Sequence, residues 1–328
     1  MEFVVANFAP VMFAGLIVFL LLGFPVAFSL GACGLFFAFV GVQLDVFPPS
    51  VLAWLPQRLI GIMSNDTLLA VPAITEIGLL ERSRWRAHYR PGMRIEAIAP
   101  SGGEPVVLLD DRLLTSQAHS TGRRRVREVV DASGLGLGRL TYSVHAEGFW
   151  QVHVDAPQVL VERVVRAALG EDLDRAEGSR VLELYSGAGL FTLPLAALVG
   201  TSGQVLSLEG NEQAVRDSRR TLHEHPAARL AAGRVSSRSV HELGSSFTGA
   251  RPDVVILDPP RQGAGREVIE AAAALGAERI VLVACDPAAL ARDLATLLRA
   301  GYELGFLSAL DMFPHTHHFE TIAVLDRA

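Results

Sequence analysis

The chain has 328 residues, a formal net charge of −6 and two cysteines, Cys33 and Cys285. The cysteines lie in unlike stretches, which excludes a disulfide framework and a cysteine cluster for zinc or iron–sulfur. The acidic balance excludes a global electrostatic grip on nucleic acid and leaves a local basic patch open.

Residues 1–80 hold one basic residue, Arg58, and four acids. From Phe3 to Phe47 nearly every residue is apolar, a run longer than the ~20 residues that cross a bilayer once. Gly23-Phe24-Pro25 divides it into stretches near 8–22 and 25–42, so one kinked span or two spans are expected. A buried soluble hairpin is the alternative. The acidic start and the lack of a small-residue cleavage site argue against a signal peptide. The first positive charges after the run are Arg58, Arg82, Arg84 and Arg86. By the positive-inside tendency they set the remainder on the cytoplasmic side, with the front as a membrane anchor. The segments LLLGFPVAFSLGACGLFFAFVG (20–41) and LIGIMSNDTLLAVPA (59–73) resemble the start of the large permease subunit of TRAP-type dicarboxylate transporters. The later spans that alternating access requires are missing, so an anchor or a fusion relic is expected rather than a carrier.

Residues 84–150 read as short strands and turns, a small β-rich segment on the substrate side. PGMRIEAIAPSGGEPVVLLDDRLL alternates apolar and polar residues between Pro and Gly breaks. Arg123, Arg124, Arg125 and Arg127 form the densest basic cluster. It is either a solvated face or a contact to substrate phosphates. GFWQVH (148–153) comes next, then a helix over Ala156–Leu169. Trp150 is a core aromatic or a surface on which a base stacks.

From Arg180 onward strands and helices alternate. Strands are expected at 180–185, 204–209, 228–233, 253–258 and 279–284, with helices such as 189–199, 211–223, 265–276 and 287–300. This is a doubly wound, mostly parallel α/β sheet. Two last strands, near 303–311 and 319–326, are joined too closely for a crossover helix and should pair antiparallel at the edge.

Three strand ends carry candidate chemistry, where open α/β sheets bind ligands. In ELYSGAGLFT, Gly187 and Gly189 let backbone approach a ligand. Thr192 stands where a dinucleotide fingerprint wants a third glycine, and Glu209 ends the next strand, where a carboxylate can accept two ribose hydroxyls. With no pyrophosphate to cradle, the turn suits S-adenosylmethionine better than NAD. In VVILDPPR, Asp258 ends a strand where it can meet cofactor and substrate, and Pro259 and Pro260 stiffen the turn. A DPP turn also serves methylation of exocyclic amines. In VACDP, Cys285 sits at the end of a buried strand. Carbon 5 of a pyrimidine is a poor nucleophile. A thiolate adding to carbon 6 makes an enolate whose carbon 5 can attack a methyl donor. A base must then remove the carbon-5 proton, and Glu320, just before the last strand, can serve. His315, His317 and His318 lack the cysteines and the spacing of a structural zinc site, so no metal is expected.

LELYSGAGLFTLPLA, VVILDPPRQGAG, VLVACDPAALARDL and DMFPHTHHFETIAVL resemble the class I RNA uracil-5-methyltransferases, which act on transfer or ribosomal RNA. The likeness runs from about Gly148 to the end and more faintly back to Trp85. It implies a Rossmann-like methyltransferase domain over 151–328 with an antiparallel last strand, S-adenosylmethionine as cofactor and RNA as partner. It implies Cys285 as nucleophile and Glu320 as proton acceptor. Gln151, Tyr185, Glu209 and Asp258 become cofactor contacts, and Arg261 an active-site support. Ser186 and Leu190 stand where many members have Cys and Asn. The alternatives are a permease fragment fused to an inactive or accessory methyltransferase domain, and a DPP-type amine methyltransferase.

Overall fold

The computed structural model describes residues 10–12, 15, 17, 26–44, 46, 77–79, 83–151, 153–247, 251–312 and 319–328. The chain divides into two compact units, Met1–Asn65 and Asp66–Ala328. In the first, helix α1 spans Val26–Gln43. Its Phe37 is buried among Val11, Met12, Val40, Leu44 and Val46. Eighteen residues of helix rise about 27 Å, short of the ~30 Å of a bilayer's hydrocarbon core. Among the described residues no helix is long and apolar enough to cross a membrane. The expected spanning segment therefore finds no support in α1, and most of the stretch near 8–22 lies outside the described residues, as does 59–73.

The second unit begins with a small core of its own. A short helix α2 (Ser83–Arg86) places Trp85 fully buried, with its indole N–H donating to the Ile77 carbonyl at 3.2 Å. Strands β1 (Ile95–Ile98), β2 (Val106–Leu109) and β3 (Arg112–Thr115) form an antiparallel sheet. Val107, Leu109 and Leu114 pack with Ile77, Leu79 and Trp85 beneath it.

Strands β4 (Arg125–Asp131) and β5 (Arg139–His145) make a separate hairpin, pairing Arg125 with His145. This hairpin is not a free-standing β domain. Val130, Tyr142 and Val144 belong to the main hydrophobic core with Phe191 and Leu193, and the Tyr142 hydroxyl donates to the Leu190 carbonyl at 2.9 Å. The hairpin thus shares one continuous core with the strands and helices that follow it.

Helix α3 (Ala156–Leu169) then leads into alternating strands and helices. They are β6 (Arg180–Leu184), α4 (Thr192–Val199), β7 (Gln204–Glu209), α5 (Glu212–Thr221), β8 (Ala228–Ala232) and α6 (Ser237–Gly244). β9 (Val254–Leu257), α7 (Arg266–Ala274), β10 (Arg279–Ala284), α8 (Pro287–Arg299), β11 (Tyr302–Leu310) and β12 (Glu320–Arg327) complete the unit. The strand order is β11-β12-β10-β9-β6-β7-β8. β6, β9 and β10 are near-continuous apolar runs because helices cover both of their faces. β12 is antiparallel to β10 and to β11. This is the expected Rossmann-like sheet, with the two last strands paired antiparallel at one edge: β11 is the edge strand and β12 the strand inside it. β12 is buried almost throughout, while β11 exposes Leu304, Phe306 and Leu307.

Candidate active site

The carboxyl ends of β6, β7, β9 and β10 open on one cavity of about 1310 Å³. Each end is shaped by local chemistry. After β6, Tyr185 adopts φ +64° and donates its N–H to the Leu208 carbonyl at 2.8 Å, so the chain turns sharply. Gly187 comes next at φ +54°, where a Cβ would meet only open space. After β7, the Glu209 carboxylate accepts the Gly187 N–H at 2.9 Å and the Asn211 N–H at 2.6 Å. The Asn211 side chain caps α5, accepting from the N–H groups of Gln213 and Ala214. After β10 comes Cys285, and Asp286 caps α8 through the Ala289 N–H at 2.7 Å, with Pro287 in the first turn. That cap lies two residues past the end of the strand at Ala284, with Cys285 between them.

Cys285 and Glu320 line this cavity together, with Gln151, Tyr185, Gly187, Glu209, Asp258 and Arg261. Ala284 faces Thr321 across the β10–β12 ladder, so Cys285 and Glu320 leave neighbouring strands side by side. The Thr321 hydroxyl fastens the step by donating to the Ala284 carbonyl at 2.7 Å.

The electrostatics are those of crowded acids. Burial raises Glu320 to about 8, with the Asp258 charge adding to it. Asp258 itself is pushed to about 7 by burial and by Glu209. The Cys285 thiol is pushed up by burial first, then by Glu320 and Asp258, while its own N–H and Arg261 pull the other way. Tyr185 is raised to about 12, chiefly by burial.

Gly189, expected as a ligand-side glycine, is absent from the cavity wall. It has φ +89°, and a Cβ there would lie 2.4 Å from Ser218 Oγ. Its place is under the turn, where α5 crosses closely. Trp150 touches the cavity but leans on Tyr142 at 5.1 Å between ring centroids and packs against the core. Its neighbour Phe149, in the GFWQVH stretch where the sequence points only to Trp150 and Gln151, lines the cavity and is 77% exposed. Also unforeseen is Glu183, buried in β6, which accepts the hydroxyls of Thr192 at 2.6 Å and Ser207 at 2.8 Å. Burial lifts it to about 7. Its position four residues before Gly187, at the end of a buried strand, was the available signal. Asp217 had none: it reads as one more polar residue on an amphipathic helix. It is buried, and accepts from Arg125 Nε at 2.7 Å and the His145 N–H at 2.8 Å.

His315, His317 and His318 lie outside the described residues. Among the described residues no group of three or more His, Cys, Asp or Glu is arranged to hold a metal.

The family of tRNA (uracil-5-)-methyltransferases matches residues 128–328. An uncharacterized RNA methyltransferase of Bifidobacterium longum is 39% identical over 270 residues, covering 80% of this chain and 60% of that protein. The 23S rRNA (uracil(1939)-C(5))-methyltransferase of Acinetobacter baumannii is 37% identical over 199 residues, covering 58% of this chain and 42% of the relative. Among solved structures, Pyrococcus abyssi tRNA (uracil-54, C5)-methyltransferase in complex with S-adenosyl-L-homocysteine superposes with a TM-score of 0.48. It is 28% identical, over 64% of this chain and 47% of that one. The chain therefore spans 60% and 42% of the length of these two curated relatives. The family match does not reach residues 1–80 and lends the permease likeness of that stretch no support. It takes in β5, every strand of the large sheet and the whole segment from Cys285 to Glu320, and on that ground the chain belongs to the tRNA (uracil-5-)-methyltransferase family.

Proposed function

We propose that this protein methylates carbon 5 of a uridine in transfer or ribosomal RNA through a covalent adduct on Cys285, with S-adenosylmethionine as donor. The observation that carries the reading is the convergence of Cys285 and Glu320, from adjacent strand ends, on the cavity that holds the glycine turn. The residues fit the donor. Gly187 leaves open space where a side chain would intrude, and Glu209, held by two backbone N–H groups, stands beside it at the end of β7. S-adenosylmethionine supplies an electrophilic methyl group; Gln151, Tyr185, Glu209 and Asp258 would hold and orient it.

The Cys285 sulfur, as thiolate, adds to carbon 6 of the ring. The electron pair released to carbon 5 would form the new bond to the methyl carbon as that carbon's bond to the sulfonium sulfur breaks, the bonding pair staying on sulfur and S-adenosylhomocysteine leaving. Glu320 then takes the proton from carbon 5, the double bond to carbon 6 re-forms, and the thiolate leaves. Carbon 6 must be exposed to the sulfur, so the uridine enters unpaired or flipped from its stack. Exposed Phe149 at the cavity wall offers such a base a flat apolar face.

The test is Cys285→Ala, with uridine tritiated at carbon 5 in bulk RNA as substrate. The wild type is expected to release label in proportion to methyl transfer. The variant should bind S-adenosylhomocysteine but release none. Continued methylation by the variant points instead to an exocyclic amine as the target.

A further inference from the structure

Arg123, Arg124 and Arg125 are consecutive, but they are not equivalent. Arg125 opens β4 and spends its charge on Asp217, a buried carboxylate on α5. That pair fixes the hairpin to the large domain. Arg123 and Arg124 are exposed, and neither has a carboxylate partner among the described residues. Elsewhere some exposed arginines are paired, as Arg238 is with Glu242 and Arg266 with Glu270, while others, such as Arg112 and Arg229, form no ion pair among the described residues; what sets Arg123 and Arg124 apart is their position.

Their position relates them to the cavity. The Arg124 carbonyl accepts the Ala146 N–H at 2.9 Å, and Ala146 lies between His145 and Glu147, both in the cavity wall. The same loop continues to exposed Phe149. Inside, the cavity wall carries Glu209, Asp258 and Glu320 beside Arg234 and Arg261. A flipped uridine places its base in that space while the flanking phosphates follow the RNA backbone outside, at the rim.

We propose that the Arg123 and Arg124 guanidiniums grip the RNA phosphates flanking the flipped uridine, while Arg125 serves only to hold the hairpin. This rests on the activity proposed above. Two forked, unpaired guanidiniums suit phosphate oxygens, and residues 81–150 are the basic part of the chain, with 11 Arg against 8 acids.

The experiment measures binding of a short, labelled, uridine-containing single-stranded RNA to the full chain over a salt series, with S-adenosylhomocysteine present. For R123Q/R124Q the Kd should rise about tenfold, and the slope of log Kd against log salt should fall by about 1.4, that of two lost phosphate contacts on a single strand. R123K/R124K should keep the wild-type slope. R125Q should lower Tm and leave the slope unchanged. An unchanged slope in R123Q/R124Q overturns the proposal; should that pair melt early, R123Q alone is judged by the same criterion, with half the change expected. The grip and the activity fail in different ways. A wild type that binds RNA with the predicted slope difference yet methylates nothing overturns the activity and leaves the grip. A wild type that methylates with no slope difference does the reverse.

Discussion

Glu320 carries the sharpest consequences of a single side chain. Its folded pKa is raised from an ordinary 4.5 to about 8, mainly by burial. The folded state therefore holds this proton more tightly than the unfolded chain does. The resulting stability is fully present below about 4.5 and is lost as pH climbs through about 8. Glutamine at this position does not titrate. The Tm of Glu320→Gln relative to wild type should thus rise steadily from pH 5 to pH 9, read by thermal melts. In the assay the same variant should accumulate a protein–RNA adduct that survives denaturing gels, because the carbon-5 proton has no acceptor. Wild-type turnover should climb between pH 7 and pH 9, where Glu320 ionises and the raised Cys285 thiol begins to do so. Cys285, Glu320, Glu209 and Asp258 were all readable in the sequence, since each ends or begins a strand whose apolar run is plain. Asp217 and Phe149 were not, because nothing in a linear pattern says that a helix polar residue is buried or that an aromatic residue is left bare.

The turn after β6 shows what its two glycines do. At Gly187 an added Cβ meets open space, whereas at Gly189 it meets Ser218 Oγ at 2.4 Å. Gly187→Ala should cost about 1–2 kcal/mol for its left-handed backbone and should chiefly weaken S-adenosylhomocysteine binding. Gly189→Ala adds overpacking and should cost about 2–4 kcal/mol in total. Ser218→Gly should recover part of the second loss and none of the first. Calorimetric melts and ligand titrations of the three variants distinguish these outcomes. The strands were legible to within a residue or two: β7 and β10 occupy 204–209 and 279–284 as expected. Helix α4 begins at Thr192 rather than 189, because a turn with positive φ at Tyr185, Gly187 and Gly189 precedes it. The internal placement of β12 was hidden, because strand order depends on which edge a returning chain prefers and periodicity carries no such information.

For the molecule as a whole, the compact unit that holds the candidate site starts at Asp66. Ile77 and Leu79 fill the small core with Trp85, and Tyr89 donates its hydroxyl to the Leu79 carbonyl. A fragment of residues 66–328 should therefore melt as a cooperative unit and bind S-adenosylhomocysteine. A fragment starting at 84 loses both apolar side chains and strands the Trp85 indole N–H, and should melt several degrees lower. Equal melting temperatures would show that the small core contributes nothing. The sequence could not place this boundary. Ile77 and Leu79 continue the apolar character of the front, yet their contacts are with Trp85 and the β1–β3 sheet.

The pairing of Ala284 with Thr321 has an evolutionary corollary. Side chains on a strand alternate between faces, so displacing β12 by a single position would turn its acid toward the opposite side of the sheet. An inserted or deleted codon within that strand should separate its acid from Cys285. The same change ahead of the strand would leave the ladder intact, so relatives of this chain should vary in length before Glu320 and hold their length after it.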